Sequence, residues 1–201
     1  MYAKMVACRQ TTKDSRCTSS MDDPGSPPVI WSDLAHRPRP PLFFVSGAPG
    51  SEKTSTVQHL VGHNKSGVVV MDMDELSVDG TVLGIRMQSP AAADQWPAYN
   101  AMWMRLIELI RRSGVAVLLC CPLLPSELAD HQSVHDASWL HLDCTDLERS
   151  HRLSARGWDG GRIRSAVEDA SRTRTEIAMS LMTDDLTPQH VAARIAAWAA
   201  L

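Results

Sequence analysis

The stretch from Pro41 to Leu60 reads PLFFVSGAPGSEKTSTVQHL and constrains the fold more than any other part of the chain. It opens with an apolar run of strand length at 42–45 and continues with a loop of small residues at 46–52. A helix-like segment that starts with Lys53 and Thr54 follows. Strand, glycine loop, Lys-Thr and helix is the order that a phosphate-binding loop (P-loop) requires. A plain turn before a helix is the alternative, and the flanking strand and the Lys-Thr pair argue against it.

In such a loop the backbone N–H groups point inward and surround anionic oxygens, and the helix N-terminus adds partial positive charge. Lys53 is expected to reach the β- and γ-phosphates, and the Thr54 hydroxyl is expected to bind Mg²⁺. The predicted nucleotide-binding residues of the loop are Gly47, Ala48, Pro49, Gly50, Ser51, Glu52, Lys53, Thr54 and Ser55.

One residue departs from the P-loop pattern G-x-x-x-x-G-K-[ST]. The pattern begins at Gly47 and ends at Lys53-Thr54, but Glu52 stands where the second glycine belongs. A carboxylate there adds bulk and like charge, and one pair of unit charges about 4 Å apart repels by roughly 4 kcal/mol at an effective dielectric constant of about 20. A side chain that swings into solvent avoids most of that repulsion. Normal nucleotide binding and a loop blocked by Glu52 are therefore both open.

With 201 residues the chain is long enough for one domain and an appendage. The net charge of −3 argues against a general nucleic-acid surface and against a polybasic membrane binder. We expect no transmembrane helix, because no apolar run reaches about 18 residues, and no secretory signal. The cysteines lack metal-binding or redox spacing, which favours a reducing cytoplasm. They are Cys8, Cys17, Cys120, Cys121 and Cys144.

Residues 1–40 are predicted to be a disordered N-terminal extension, with 41–201 as the folded domain. The extension is rich in proline and polar residues and has little hydrophobic periodicity. Such a segment cannot bury enough apolar surface to offset the entropy lost on ordering. A docking arm is the alternative.

Two carboxylates follow the second apolar run, GVVVM at 67–71. Asp72 and Asp74 are two residues apart, so they share one side if the strand persists that far. They would lie at the carboxyl end of a strand, where open α/β sheets bind ligands. One could hold Mg²⁺ through water, and the other could accept a proton from a substrate hydroxyl. A solvated strand end or a helix cap is the alternative.

Further along, a helix is predicted to run to Arg112, and three aromatic residues near its start are candidates for an acceptor-substrate pocket. They are Trp96, Tyr99 and Trp103. Aromatic residues at helical spacing also occur in a hydrophobic core, which is the alternative. The arginines of this helix, Arg105, Arg111 and Arg112, are expected to be surface charges.

Three more strands are predicted at 115–121, 138–143 and 178–182, which makes about five parallel strands in all. A C-terminal helix starts at Thr187-Pro188, a good N-cap and first helical position. Between the last two strands, the helices around 145–156 and 162–180 are rich in arginine. Their arginines fit a lid that neutralises charge on a transferring phosphoryl group. A solvated face with an i,i+4 pair between Glu168 and Arg172 is the alternative.

Taken together, residues 41–201 resemble the small P-loop kinases, a group that includes nucleoside, nucleoside-monophosphate, shikimate and gluconate kinases and antibiotic phosphotransferases. GAPGSEKT is similar to that group's GAPGSGKT except at Glu52. VMDMDEL resembles the D-x-D segment of shikimate kinases, which implies that Asp72 serves Mg²⁺ and Asp74 the acceptor hydroxyl.

HRLSARG resembles the R-x-x-x-R that leads into the lid of adenylate-kinase-like enzymes. This resemblance implies that Arg152 packs on adenine and that Arg156 contacts phosphate. Arg172 or Arg174 would be a further lid arginine, with Arg172 close to the substrate. The D-G-x-P-R segment of adenylate kinases is absent, which argues against a nucleoside monophosphate as acceptor.

The expected fold is therefore α/β, a three-layer α/β/α P-loop NTPase fold with a small helical lid at about 152–175. The expected activity is ATP- and Mg²⁺-dependent phosphoryl transfer to a small-molecule hydroxyl or phosphate. Lys53, Asp74 and Arg156 are the expected catalytic residues. A nucleotide-binding pseudo-kinase without turnover is the main alternative. The acidic balance argues against a second alternative, a nucleic-acid 5′-end kinase. The acceptor and the oligomeric state remain open.

Overall fold

A five-stranded parallel sheet forms the centre of the computed structural model, which describes residues 38–63, 67–77, 80–82, 84–86 and 92–201. The predicted N-terminal extension lies outside the described residues up to position 37. The strands in chain order are β1 (Leu42–Ser46), β2 (Val69–Asp72), β3 (Thr81–Val82), β4 (Ile85–Arg86), β5 (Val117–Cys121), β6 (Ser138–Asp143) and β7 (Ser180–Met182).

The sheet has the strand order β2-β5-β1-β6-β7, and each neighbouring pair is parallel. The predicted set of about five parallel strands is thus confirmed. The short strands β3 and β4 pair with each other as an antiparallel hairpin in the connection between β2 and β5.

Five α-helices lie in the described part of the chain. They are α1 (Lys53–His63), α2 (Trp96–Arg112), α3 (Asp146–Ala155), α4 (Gly160–Glu176) and α5 (Pro188–Ala199). The caps explain where two of them start. Thr187 accepts a hydrogen bond from the N–H of His190 at the start of α5, as predicted. Asp159 accepts from the N–H groups of Gly161 and Arg162, so α4 begins two residues before the predicted start at 162.

Successive side chains of each strand point to opposite faces of the sheet, which divides the core into two layers. Leu42 and Phe44 of β1 pack in a cluster with α2, together with Val117, Leu119 and Cys121 of β5. The intervening residues Val45, Leu118 and Cys120 pack in a second cluster with α1 and α5. Because side chains of a strand point to opposite faces in turn, both faces of the sheet are covered by helices. The three-layer α/β/α arrangement is confirmed.

Arg111 is not a surface charge, contrary to the prediction. Only 2% of the residue is exposed. Its guanidinium donates to the carbonyl oxygens of Pro40 and Ser133, each at 2.8 Å, and pairs with Asp136 at 2.5 Å. Arg111 follows the buried residues Trp103 and Ile107 at intervals of four, so helical periodicity places it on the apolar face of α2. No helix in the described ranges is long and apolar enough to cross a lipid bilayer.

Candidate functional site

The P-loop connects β1 to α1 at the carboxyl end of the central strand, and glycine is required where it begins. A Cβ atom added to Gly47 would lie 2.5 Å from the carbonyl oxygen of Leu142 and 2.7 Å from the Ser51 hydroxyl oxygen. Gly50 has a φ of +84°, a left-handed conformation that favours glycine. Both positions therefore favour glycine, as expected for a loop whose backbone approaches a phosphate group.

Glu52 stands where the P-loop pattern has its second glycine, and it adopts a left-handed conformation with a φ of +68°. Its carboxylate does not extend freely into solvent. It forms an ion pair with Arg156, just beyond α3, and accepts a hydrogen bond from the Ser55 hydroxyl at 2.9 Å. The Glu52 charge is therefore balanced beside the loop. The same contact engages Arg156, the arginine expected to meet phosphate.

Lys53 folds back over the loop that precedes it. Its ammonium group donates to the carbonyl oxygen of Gly47 and lies 3.4 Å from both the Ala48 carbonyl oxygen and the Ser51 hydroxyl oxygen. Burial lowers the pKa of Lys53, and nearby negative charge, led by Asp74, opposes that shift. Thr54 is exposed on the first turn of α1.

The predicted acidic pair lies at the end of β2 but does not continue along one strand. The strand stops at Asp72, and a 3₁₀ turn (Met73–Leu76) follows. Asp72 caps this turn, because its Oδ1 accepts a hydrogen bond from the N–H of Asp74 at 3.0 Å. Burial and the neighbouring Asp72 raise the pKa of Asp74, while Lys53 lowers it. These effects place Lys53 and both carboxylates in one electrostatic cluster.

The second carboxylate oxygen of Asp72 is suited to act as a metal ligand. Asp72 is 3% exposed, and its Oδ2 has no hydrogen-bond partner. A buried oxygen of this kind needs a cation or a donor. Among the residues that the structure describes, no group of three or more His, Cys, Asp or Glu side chains could hold a metal ion. A single carboxylate oxygen such as Asp72 Oδ2 suits an ion such as Mg²⁺, which takes most of its other ligands from water and phosphate oxygens.

The three candidate pocket aromatics separate into two roles. Tyr99 and Trp103 are 7% and 3% exposed and belong to the core cluster between α2 and the sheet, as the alternative interpretation has it. The Tyr99 hydroxyl donates to the carbonyl oxygen of Met73 at 2.5 Å and so fixes the turn that carries Asp74. Trp96, one turn before Tyr99, lines an open cleft.

This cleft has a volume of about 340 Å³ and adjoins the P-loop. One wall is the loop itself, and the others come from α2, from the segment after β5 and from α4. Its lining residues are Ala48, Pro49, Trp96, Asn100, Pro122, Leu123, Leu124, Glu127, Asp169, Arg172 and Thr173. Among the predicted substrate residues, Trp96 and Arg172 reach this cleft. Arg172 pairs with Asp169 at 2.5 Å, not with the predicted Glu168.

Arg152 also reaches the P-loop. Its guanidinium donates to the carbonyl oxygens of Gly50 and Thr183, each at 3.0 Å, and pairs with Glu148 at 2.8 Å. Arg152 and Arg156 thus both lie beside the loop in the structure. The packing of Arg152 on adenine and the lid movement at 152–175 remain predictions.

Sequence reasoning missed Arg149, which is fully buried beneath the loop. It donates to the carbonyl oxygen of Pro49 and to Asp143 Oδ1, the latter at 2.6 Å. Arg174 pairs with the other oxygen of Asp143, also at 2.6 Å. A signal exists in the sequence, since Arg149 precedes the buried Leu153 by four residues and so shares its helix face.

The structure is similar to solved kinases and a resistance protein. A tunicamycin resistance protein from Deinococcus radiodurans is 18% identical, with 81% of this chain and 97% of that chain covered and a TM-score of 0.58. A shikimate kinase from Acinetobacter baumannii is 11% identical, with 80% of this chain and 93% of that chain covered and a TM-score of 0.59. A sugar kinase from a Janibacter species is 14% identical, with 80% of this chain and 95% of that chain covered and a TM-score of 0.58.

The protein has a P-loop kinase-like fold. At these levels of identity the likeness concerns the fold. No protein-family model matches the sequence, and no curated protein matches it significantly.

Proposed function

We propose that the protein is an ATP-dependent phosphotransferase that acts on a hydroxyl group of a small molecule. The observation that carries this proposal is the cleft beside the P-loop. Ala48 and Pro49 form one wall of it, and Trp96 and Arg172 belong to the others. A donor phosphate on the loop and an acceptor in the cleft would therefore be neighbours, as phosphoryl transfer requires.

The proposed step transfers the γ-phosphoryl group directly. The acceptor oxygen forms a bond to the γ-phosphorus, the bond from that phosphorus to the oxygen of ADP breaks, and the hydroxyl proton passes to the Asp74 carboxylate. The raised pKa of Asp74 makes it a stronger base than an ordinary aspartate. Lys53 turns from the loop carbonyl oxygens to the phosphates and neutralises the charge that develops there.

Mg²⁺, when bound, neutralises charge on the transferring phosphates. Asp72 Oδ2 and the Thr54 hydroxyl are the groups that would hold it, directly or through water. Arg156 would leave Glu52 and contact the phosphates, and Arg152 would remain beside the donor site. Exclusion of water by the helices that carry these arginines would favour transfer over hydrolysis.

One observation favours a second candidate, a nucleotide-binding pseudo-kinase without turnover. Glu52 holds Arg156 in an ion pair beside the loop. If this pair persists in the presence of nucleotide, Arg156 cannot contact the phosphates, and their developing charge loses a cation that would stabilise it. The retention of Lys53, Thr54, Asp72 and Asp74 supports the active enzyme over this alternative.

Calorimetric titration of Mg-ATP into the parent protein and into Glu52→Gly tests whether the loop binds nucleotide. Similar affinities, within about tenfold, support a functional loop, and turnover then separates the active enzyme from the pseudo-kinase. Binding by Glu52→Gly alone means that Glu52 blocks the natural loop and contradicts both candidates. Failure of both proteins to bind also overturns both proposals.

Turnover is then measured as ADP release in a screen of hydroxyl-bearing acceptors. We expect Lys53→Ala to lower turnover by about 100-fold or more. The exposed Arg105→Ala serves as the matched cationic control. Unchanged turnover in Lys53→Ala would exclude the assignment of Lys53.

A further inference from the structure

The cleft beside the P-loop carries more negative than positive charge. Of the described residues that line it, Glu127 and Asp169 are acidic and Arg172 is basic. Glu127 belongs to the segment after β5, and the other two residues belong to α4. An acceptor in the cleft is therefore exposed to carboxylates from two separate elements.

The single cation of this lining is already paired. The guanidinium of Arg172 lies 2.5 Å from Asp169 Oδ1, one helical turn away. Glu127 is held in place because its Oε2 accepts a hydrogen bond from the N–H of Leu124 at 3.0 Å. Asp169 and, more weakly, Glu127 raise the pKa of Arg172, so two carboxylates of the lining share one guanidinium and negative charge remains in excess. A ligand carboxylate or phosphate would meet this excess negative charge, because the arginine that would attract it is neutralised.

Two residues of α2 indicate two further properties of the ligand, a hydrogen-bond donor and a surface that packs on an aromatic ring. Asn100 lies in the cleft wall, and its side-chain oxygen is buried without a hydrogen-bond partner. Such an oxygen requires an N–H or O–H donor, because an unsatisfied buried acceptor is costly. Trp96, one turn earlier on the same helix, offers an aromatic surface to the cleft. Aromatic surfaces attract the apolar faces of rings and also attract cations.

We propose that the acceptor is a ring-containing hydroxyl compound that carries an amine or no charge, and not a carboxylate or a phosphate ester. Its donor groups satisfy Asn100, its ring lies against Trp96, and an amine is attracted by Glu127 and Asp169. This inference rests on the proposed function, and it narrows the acceptor from any small-molecule hydroxyl compound to one without negative charge.

Binding of matched probes tests the charge class without a requirement for turnover. One set is glucosamine, glucose and glucuronate, and a second set is 4-hydroxybenzylamine, 4-hydroxybenzyl alcohol and 4-hydroxybenzoate. Ligand-observed NMR titrations with the full chain, with and without Mg-ADP, give the dissociation constants. We expect the amine in at least one set to bind about tenfold more tightly than the matching carboxylate, as partly exposed charges allow.

Two variants test whether the cleft carboxylates are the cause. Asp169→Asn removes the carboxylate that pairs with Arg172, and Glu127→Gln removes the other carboxylate of the cleft lining. Each should reduce the preference for the amine by about threefold to fivefold. Glu168→Gln is the matched control, because Glu168 is exposed on the same helix and lies outside the cleft lining. It should leave the preference unchanged.

Tighter binding of the carboxylate, failure of every amine and neutral probe to bind, or an unchanged preference in both cleft variants would overturn the proposal. These outcomes are independent of the proposed function, which is decided by the Mg-ATP titration. A protein that binds Mg-ATP but prefers carboxylates remains a candidate kinase with a different acceptor. A protein that prefers amines but does not bind Mg-ATP has the proposed cleft specificity without the proposed function.

Discussion

The two ends of the P-loop show that the same backbone requirement can be met in different ways. At Gly47 the obstacle is steric, because any side chain would meet the carbonyl oxygen of Leu142. At Glu52 the obstacle is conformational, because a φ of +68° costs an L-residue about 1–2 kcal/mol. The pair with Arg156 and the hydrogen bond from Ser55 offset part of that cost. Gly47 is thus a strict requirement, whereas position 52 tolerates a side chain.

Replacement of Gly47 by alanine should therefore impair the protein as a whole. The added Cβ would lie 2.5 Å from a backbone oxygen of β6, so the loop or the strand must move. We expect a loss of about 2–3 kcal/mol in the free energy of unfolding, comparable to overpacking a core, measured by urea denaturation.

Gly62→Ala is the matched control for this substitution. Gly62 lies in α1, and an added Cβ there meets no atom within 4 Å. Alanine should stabilise that helix by about 0.5–1 kcal/mol. Equal effects of the two substitutions would contradict the steric argument at Gly47.

At the level of secondary-structure elements, one buried charge cluster joins β6, α3 and α4 beneath the loop. Asp143 ends β6, and it pairs with Arg149 of α3 and Arg174 of α4 at 2.6 Å each. The Arg174 guanidinium donates to Asp143 and, with the Cys144 N–H, lowers the pKa of this carboxyl against the effect of burial. The cluster fixes the position of both arginine-rich helices relative to the P-loop.

Loss of Arg149 should therefore weaken both the fold and the loop. Removal of one partner of a buried ion pair costs about 3–5 kcal/mol. Because Asp143 keeps Arg174, we expect Arg149→Met to lose about 3 kcal/mol of unfolding free energy and to retain its fold. Affinity for Mg-ATP should also fall, since the carbonyl oxygen of Pro49 loses its donor.

Arg105→Met provides the comparison for that variant, because Arg105 is exposed on α2. Its unfolding free energy should stay within about 0.5 kcal/mol of the parent value. An Arg149→Met protein as stable as Arg105→Met would mean that the buried pair contributes nothing net to the fold.

His141 of β6 should make stability depend on pH. It is fully buried, neither ring nitrogen has a hydrogen-bond partner, and burial lowers its pKa from 6.5 to about 4. Between these two values the unfolded chain binds a proton that the native protein does not. The free energy of unfolding therefore falls as the pH decreases from about 6.5 to 4, by about 3 kcal/mol in total.

His141→Leu removes this titration and should flatten the pH dependence of urea denaturation in that interval. The control is His151→Gln, since the side chain of His151 is 77% exposed. An unchanged slope in His141→Leu would assign the acid sensitivity to other groups.

The sequence predicts the elements better than the contacts between them. The apolar runs locate every strand of the main sheet, and Thr187-Pro188 locates the start of α5, because these features depend on local spacing. Arg111 and Arg149 are placed wrongly or missed, since both are buried charges whose partners lie far away in the chain. Such burial is decided by tertiary pairing, which hydrophobic periodicity alone does not reveal.

At the scale of the whole molecule, the sheet brings the functional candidates together. The P-loop follows β1, the acidic pair follows β2, and the cleft residues Pro122, Leu123 and Leu124 follow β5. Carboxyl ends of parallel strands meet at one edge, so this convergence is predictable from a parallel sheet. The composition of the cleft is less predictable, because Asn100, Glu127 and Asp169 come from elements whose relative packing depends on the complete fold.

The start of the folded unit can be located by a pair of truncations. The compact unit spans Pro38–Leu201, and its first residues are bound to the sheet and to α2. The carbonyl oxygens of Pro40 and Pro41 accept hydrogen bonds from Arg111 Nε at 2.8 Å and from the Val117 N–H at 3.1 Å, and Arg39 pairs with Glu108. We therefore propose that the folded unit includes the three residues before the predicted boundary at 41.

A chain of residues 42–201 should consequently be less stable than a chain of residues 38–201. It loses an acceptor for a buried guanidinium and one strand hydrogen bond, which together are worth about 3 kcal/mol. Urea denaturation of both chains measures the difference. In an Arg111→Met background the same truncation should cost only about 1 kcal/mol, because the charged donor is gone and the hydrogen bond from Val117 remains the main loss. Equal costs in the two backgrounds would show that Pro40 does not stabilise Arg111. The folded unit would then begin at β1.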